Sequence, residues 1–283
     1  MPSTLDLAER FAGIIALQQQ ALESATDPDK VMKLIVDKTA GITGGAGAVI
    51  ERLEGQELVY AAASGTAAEF VGTRLPVDSS LSGLALRDKA LVRSDNTDVD
   101  PRVDAAACHR IGIRSMIIAP LLEGDTATGV LKSFSPRVNR FSDLDAYALQ
   151  LLAGMTASAL VIARQYSQRL VSEARYRMLV DQNVAGVFRT TIGGAIVDCN
   201  TAFADYLGYN SREELLARES WDLYAHRSDR ENFLTALQRE RLLRNYHLPL
   251  KRKDGSPVSG VVNVSLVPAD GGESQLLGTL VEE

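Results

Sequence analysis

Apolar residues recur every three to four positions over 5–22, with Leu7, Phe11, Ile14 and Ile15 on one face, and this spacing predicts a helix. A second helix is predicted from Asp27-Pro28, since Asp suits the N-cap and Pro the first helical position. Its stripe is Val31, Leu34, Ile35 and Lys38, and it fades at Gly41. The period then shortens. AVIERLEG and ELVYAAASG flank Gly55 as a hairpin, and SSLSGLALRDKALVRSD reads as a short helix, a turn and a short strand. Asp100-Pro101 is expected to open another helix, which Gly112 closes. RSMIIAPLL and TGVLKSFS form a second hairpin around Glu123-Gly124-Asp125.

FSDLDAYALQLLAG starts a long helix with Ser142 at its N-cap, and neither Gly nor Pro interrupts the chain between Gly154 and Gly186. About 40 helical residues would run about 60 Å. Leu149, Leu152, Thr156, Ala159, Ala163, Tyr166 and Leu170 alternate in steps of three and four, an approximate heptad that predicts pairing with a second copy. Beyond it, GVFRTTIGGAIVDCN is a hairpin around Gly193-Gly194. TAFADYLGY and SREELL are short helices, and SDRENFLTALQRERLL is a longer one with Ser228 as N-cap and Glu231 completing a capping box. LRNYHLPLKRK, VSGVVNVSLVP and SQLLGTLVEE read as three strands joined by the turns KDGS and ADGG. The predicted fold class is α+β. It comprises two domains, each an antiparallel sheet with flanking helices: an N-terminal helix over 1–26, a first domain over 27–165, a connecting helix over 142–182 and a second domain over 174–283.

Composition narrows the function classes. Of 283 residues, 46% are hydrophobic and 23% charged, ordinary values for a globular chain, and the net charge of −6 with no basic patch excludes nucleic acid as an expected partner. Two cysteines, Cys108 and Cys199, make no disulfide framework. Unbroken apolar runs such as MIIAPLL are short for a membrane span and no signal peptide is evident, so a cytoplasmic protein without a membrane partner is expected.

The order of motifs carries a resemblance. RYRMLVDQNVAGVFR, GGAIVDCNTAFADYLGY, SREELL and LKRKDGSPVSGVVNVSLV resemble a PAS domain over 174–283, and GIRSMIIAPL, GVLKSFSP and FSDLDAYALQLLA resemble a GAF domain over about 27–165. The resemblance implies a sensory module without catalysis of its own, in which an unidentified small molecule biases a downstream output domain or kinase. It is similar to the input half of a histidine kinase or a diguanylate cyclase. It also implies a homodimer through the connecting helix and leaves the cofactor unknown.

Cys108 and His109 lie next to each other before the most apolar run. Adjacent helical residues point 100° apart, and no other Cys or His stands at ligand spacing, so a zinc site is not expected. Val103, Ala106, Ala107 and Ile111 are predicted to form the buried arc of this helix, with Cys108 at its flank. Bilin photoreceptors related to GAF domains attach a tetrapyrrole through a Cys-His pair so placed, which makes a bilin at Cys108 one alternative. A redox-active GAF enzyme, which needs a second Cys in the same pocket, is another. A structural Cys at a capped helix end is the expected reading.

The GAF ligand would sit between this helix and the sheet, with Cys108, His109, Ser115 and Tyr60 as candidate contacts. In the second domain Phe188, Phe203, Tyr206, Trp221, Tyr224 and Tyr246 are candidate pocket residues, against core filling as the simpler reading. His226 or His247 would be the axial ligand were haem bound. Cys199 lacks the NCRFLQ-type setting of photoactive flavin relatives. The glycine pairs 44–45 and 193–194 lack the Lys-Ser/Thr of a phosphate loop.

Overall fold

The computed structural model describes residues 4–268 and 274–283; the ADGG turn at 269–272 and the side chain of Leu7 lie outside the described residues. The chain divides into two units, one ending at Leu170 and the other running Val171–Glu283.

The first unit contains α1 (Thr4–Glu23), α2 (Pro28–Thr43), β1 (Gly47–Glu54), β2 (Glu57–Ala63), β3 (Arg74–Pro76), α3 (Leu81–Asp88), β4 (Val92–Ser94), α4 (Ala105–Ile111), β5 (Ser115–Glu123), β6 (Thr126–Ser135) and the first part of α5 (Asp143–Asp181). Its antiparallel sheet has the order β3-β2-β1-β6-β5-β4. Alternate residues along each strand face opposite cores. Ile50, Ile117, Ala119 and Leu131 meet Ile35 of α2 and Leu149 and Leu152 of α5. Val49, Tyr60, Met116 and Val130 face the other way, toward Leu81 of α3 and Cys108 and Ile111 of α4.

Three local expectations are corrected. Helix α2 runs past Gly41 to a left-handed C-cap at Gly44 (φ 66°), because Ile42 and Thr43 still bury; Lys38 is exposed. Helix α4 starts at Ala105, with Asp104 as its N-cap accepting from Ala107 N at 2.9 Å. Asp100 instead closes a turn on Arg102, whose backbone and guanidinium both donate to it; a side chain so engaged does not cap a helix. Most of the predicted pairing seam of α5 faces inward: Leu149, Leu152, Thr156, Ala159 and Ala163 are buried in their own unit, whereas its last members, Tyr166 and Leu170, are exposed. Small residues there let the helix approach its neighbours closely. The outward face carries Tyr147, Leu151 and Ile162. By length and composition α5 could cross a membrane, but 56% of its most apolar stretch is buried inside the protein, so core packing accounts for that composition.

The start of α5 is tied to α1. Asp145, nearly inaccessible, pairs with Arg10 at 2.5 Å and accepts from Ser142 N at 2.8 Å. Burial would raise its carboxyl pKa, but Arg10 and Ser142 outweigh that and hold it below the ordinary value. Protonation therefore favours the unfolded chain. The stabilisation is complete above about pH 4 and is lost as pH falls through the lower, folded-state value. Asp145→Asn should flatten the acid limb of a melting-temperature profile taken between roughly pH 3 and 7.

The second unit contains β7 (Gly186–Thr191), β8 (Ile196–Cys199), α6 (Thr201–Tyr206), α7 (Arg212–Leu216), α8 (Arg227–Glu240), β9 (Leu242–Lys251), β10 (Pro257–Val267) and β11 (Gln275–Glu282), in an antiparallel sheet ordered β8-β7-β11-β10-β9. Helix α8 begins with His226 as N-cap, two residues ahead of the expected Ser228. Asp229 accepts from the His226 N–H at 3.1 Å, while Glu231 pairs with Arg227 instead. Asn200 organises the entry to this unit. Fully buried, it accepts from Val187 N and Phe203 N, and its Nδ2 donates to the carbonyls of Val180 and Ala185, both at 2.9 Å, with Asn183 O at 3.2 Å. One amide thus joins the end of α5, β7 and the first turn of α6.

Candidate functional site

Between α3, α4 and the sheet of the first unit lies a cavity of about 160 Å³. Phe70, Leu75, Val103, Ile111, Ile113 and Met116 give its wall a mainly apolar character, Tyr60, Cys108 and Lys132 also line it, and Thr73, Ser79, Ser80, Ser82, Asp104 and Arg110 add polar groups. Two helix caps shape it. Ser80 holds the first turn of α3 through Gly83 N at 3.0 Å, and Asp104 does the same for α4. Gly83 lies so close to the Val77 backbone that a Cβ has no room, which fixes α3 against the strand edge.

Lys132 is buried in β6 and forms an ion pair with Glu51 of β1. The register opposes Val49 to Lys132 and Glu51 to Val130, so the two charges are diagonal neighbours on the cavity face. Lys132 Nζ also lies 3.4 Å from the Tyr60 hydroxyl and 5.3 Å from its ring centre. Burial opposes the ammonium form, but Glu51 and Tyr60 outweigh it, and Lys132 is held above the ordinary lysine value. Burial also raises the Tyr60 phenol, which Lys132 only partly counters, so the phenol keeps its proton at neutral pH. Glu51 Oε2 has no hydrogen-bond partner. A charged pair in an apolar interior is costly unless fully satisfied, and this one is not.

Of the four candidate contacts in this unit, Tyr60 and Cys108 line the cavity. His109 points to solvent, where Nε2 meets Asp98 at 2.6 Å, and Ser115 donates to Arg137 O at 2.7 Å away from the cavity. The buried face of α4 is made by Cys108 and Ile111, whereas Ala106 is exposed and Val103 and Ala107 are partly so. Cys108 thus stands in the face itself and not at its flank. Burial raises its thiol pKa, which suppresses the reactive thiolate. Lys132 and Glu51 did not figure among the residues singled out from sequence. The available signal was parity: both fall on the Val49 face of strands otherwise apolar on that side.

The interior of the second unit offers much less space, although a polar cleft of about 550 Å³ lies beside Trp221 and Tyr224, with Arg227, Arg230, Glu231 and Lys251 on its wall. Its core void measures about 30 Å³, lined by Phe188, Phe203 and Tyr224 among others. Phe188 stacks on Phe203 with ring centres 5.0 Å apart, and Phe233 sits 6.3 Å from Tyr224 and 5.6 Å from Tyr246. Tyr206 donates to Ser259 O at 2.6 Å, and Trp221 is half exposed beneath the Arg230 guanidinium. The six aromatics therefore do not converge on one ligand-sized space. His226 caps α8 and His247 pairs with Glu283 at 3.2 Å. Cys199 is buried, and burial pushes its thiol up to about 11. Among the described residues no group of three or more His, Cys, Asp or Glu could hold a metal ion.

Comparison with known proteins agrees with both architectures. Residues 25–161 match the GAF domain family, and residues 184–282 match the PAS domain family. No curated protein matches the chain. Among solved structures, the free methionine-R-sulfoxide reductase of Neisseria meningitidis is similar at 22% identity and a TM-score of 0.50, covering 58% of this chain and 95% of that one; the likeness concerns the fold. The GAF-B domain of DevS from Mycobacterium smegmatis is 26% identical with a TM-score of 0.43, covering 51% of this chain and 99% of its own. A PAS domain of an HTR-like protein from Haloarcula marismortui is 22% identical with a TM-score of 0.37, covering 42% of this chain and 98% of its own. The chain is a tandem module in which a GAF domain precedes a PAS domain, with the long helix α5 running from one into the other.

Proposed function

We propose that this GAF–PAS tandem is the cytoplasmic, non-catalytic input module of a signal-transduction protein, sensing a small molecule in the GAF cavity and acting as a homodimer on a downstream output domain or kinase. The observation that carries the reading is the buried Lys132 on the cavity wall, paired behind it with an under-satisfied Glu51, since a purely structural core gains nothing from such a charge. At about 160 Å³ the cavity falls below the ~300–1,000 Å³ usual for drug-sized ligands, which favours a small metabolite over a tetrapyrrole. The first unit has one cysteine among its described residues, and that thiol is suppressed, which counts against redox catalysis.

The dimer reading moves to the outward face of the helix layer. Tyr147, Leu151 and Ile162 on α5, with Phe11, Ile15 and Leu22 on α1, are exposed apolar residues. A ligand signals only by favouring one arrangement of such elements over another.

Protein purified from its native host and heat-denatured should release one small molecule detectable by mass spectrometry. Ala107→Trp, which fills the cavity, should release none. Equal release from both proteins, or from neither, would remove the support for a GAF ligand. Light scattering at micromolar concentration should give a dimer that Leu151→Glu with Ile162→Glu converts to monomer. A monomeric unsubstituted protein counts against the dimer.

A further inference from the structure

We infer that the ligand of the GAF cavity is a small, mainly apolar molecule carrying one hydrogen-bond-accepting head, a carbonyl or carboxylate oxygen, held jointly by Lys132 Nζ and the Tyr60 hydroxyl. The inference rests on the reading of the cavity as a ligand site and adds the chemistry that site selects.

The donor count leads to it. A lysine ammonium has three N–H groups. One of Lys132's faces Glu51 and one Tyr60 Oη at 3.4 Å; the third has no partner among the described residues. Tyr60 accepts from Lys132 and keeps its own proton, with no acceptor among the described residues to receive it. Both groups line the cavity, so two buried donors converge on it from β2 and β6, the strands on either side of β1. Glu51 does not line it, and the one carboxylate that does, Asp104, is already engaged in capping α4 through Ala107 N, so the donors of the cluster are presented while its acceptor is withheld. An oxygen acceptor satisfies both donors. A donor-only head, such as an amine, would face an ammonium and a phenol proton.

Charge and shape limit the rest of the molecule. Glu51 already neutralises Lys132, so the head need not be anionic, and a neutral carbonyl meets the same two donors as a carboxylate. The remaining wall is dominated by Phe70, Leu75, Ile111, Ile113 and Met116, which suit a branched-chain or single-ring body. In size the space is close to an engineered cavity of ~150 Å³ that takes benzene.

The test is calorimetric titration of the full chain with three probes sharing one body: benzoate, benzamide and toluene. Benzoate or benzamide should bind at least about tenfold tighter than toluene, since a hydrogen bond to a charged donor supplies that much. Benzoate ahead of benzamide makes the head an anion, and the reverse makes it a neutral carbonyl; both outcomes support the acceptor. Tyr60→Phe should weaken the headed probes several-fold and leave toluene unchanged. The paired substitution Glu51→Leu with Lys132→Met replaces the ion pair by apolar side chains and should fold, as a cooperative melt would show. It should take up toluene and lose the preference for headed probes. If it fails to fold, Tyr60→Phe decides. Toluene binding as tightly as benzoate and benzamide overturns the head-group inference while leaving the cavity a ligand site. No binding by any probe overturns both.

Discussion

Lys132→Met alone should destabilise the GAF unit by about 3–5 kcal/mol, a large part of the ~5–15 kcal/mol that holds a typical domain. The substitution deletes the ammonium and leaves Glu51 as an uncompensated carboxylate in a site that water does not reach. Glu51→Leu should cost a similar amount by stranding Lys132. The two together should recover most of the loss, because an apolar pair of similar volume needs no partner in that interior. A double-mutant cycle from denaturant unfolding, with hydrogen exchange of the β1 and β6 peptides assigning the transition to this unit, would measure it. Additive losses in the double variant would show that the two charges do not depend on each other. Tyr60→Phe should cost far less, since its hydroxyl interacts only at 3.4 Å.

The second large effect is expected at Asn200. Asn200→Ala should cost about 3 kcal/mol, because it strands at least two buried backbone groups at ~1–3 kcal/mol each. The loss should be local before it is global. Residues 178–187 should exchange their amide hydrogens faster, since the end of α5 reaches β7 and α6 through this side chain. Asn200→Asp separates the two roles, keeping the acceptor for Val187 N and Phe203 N while losing the donors to Val180 O and Ala185 O. It should therefore preserve the cap of α6 and free the end of α5. Unchanged exchange over 178–187 in both variants would mean that the helix end is held by something other than this amide.

The α+β class and the two antiparallel sheets could be read from the residues because their signals are local. Alternation over AVIERLEG and GVLKSFS, the glycine turns at 55 and 193–194, and the caps at Asp27 and Ser142 each act within one or two turns of chain. Errors arose where two local choices were close in energy. Asp100 and Asp104 compete to cap α4, and Arg102 settles it by engaging Asp100. Ser228 and His226 compete at α8, and Asp229 settles it by accepting from His226 N.

Which face of a helix is buried is a different kind of question. The Leu149–Ala163 stripe satisfies a coiled-coil pattern and a core pattern equally, and only the sheet and α2 packing onto it show that it belongs to its own unit. The site shows the same limit. Tyr60 and Cys108 could be suspected from residue type, but Glu51 and Lys132 lie 81 positions apart in sequence and become one group only through the β1–β6 register. Charged residues read as solvated in a single sequence, because burying one is unfavourable until its partner is supplied from elsewhere in the chain. Secondary structure here follows from interactions between near neighbours, whereas the cavity and its donors arise from strand pairing across long loops, which no local pattern encodes.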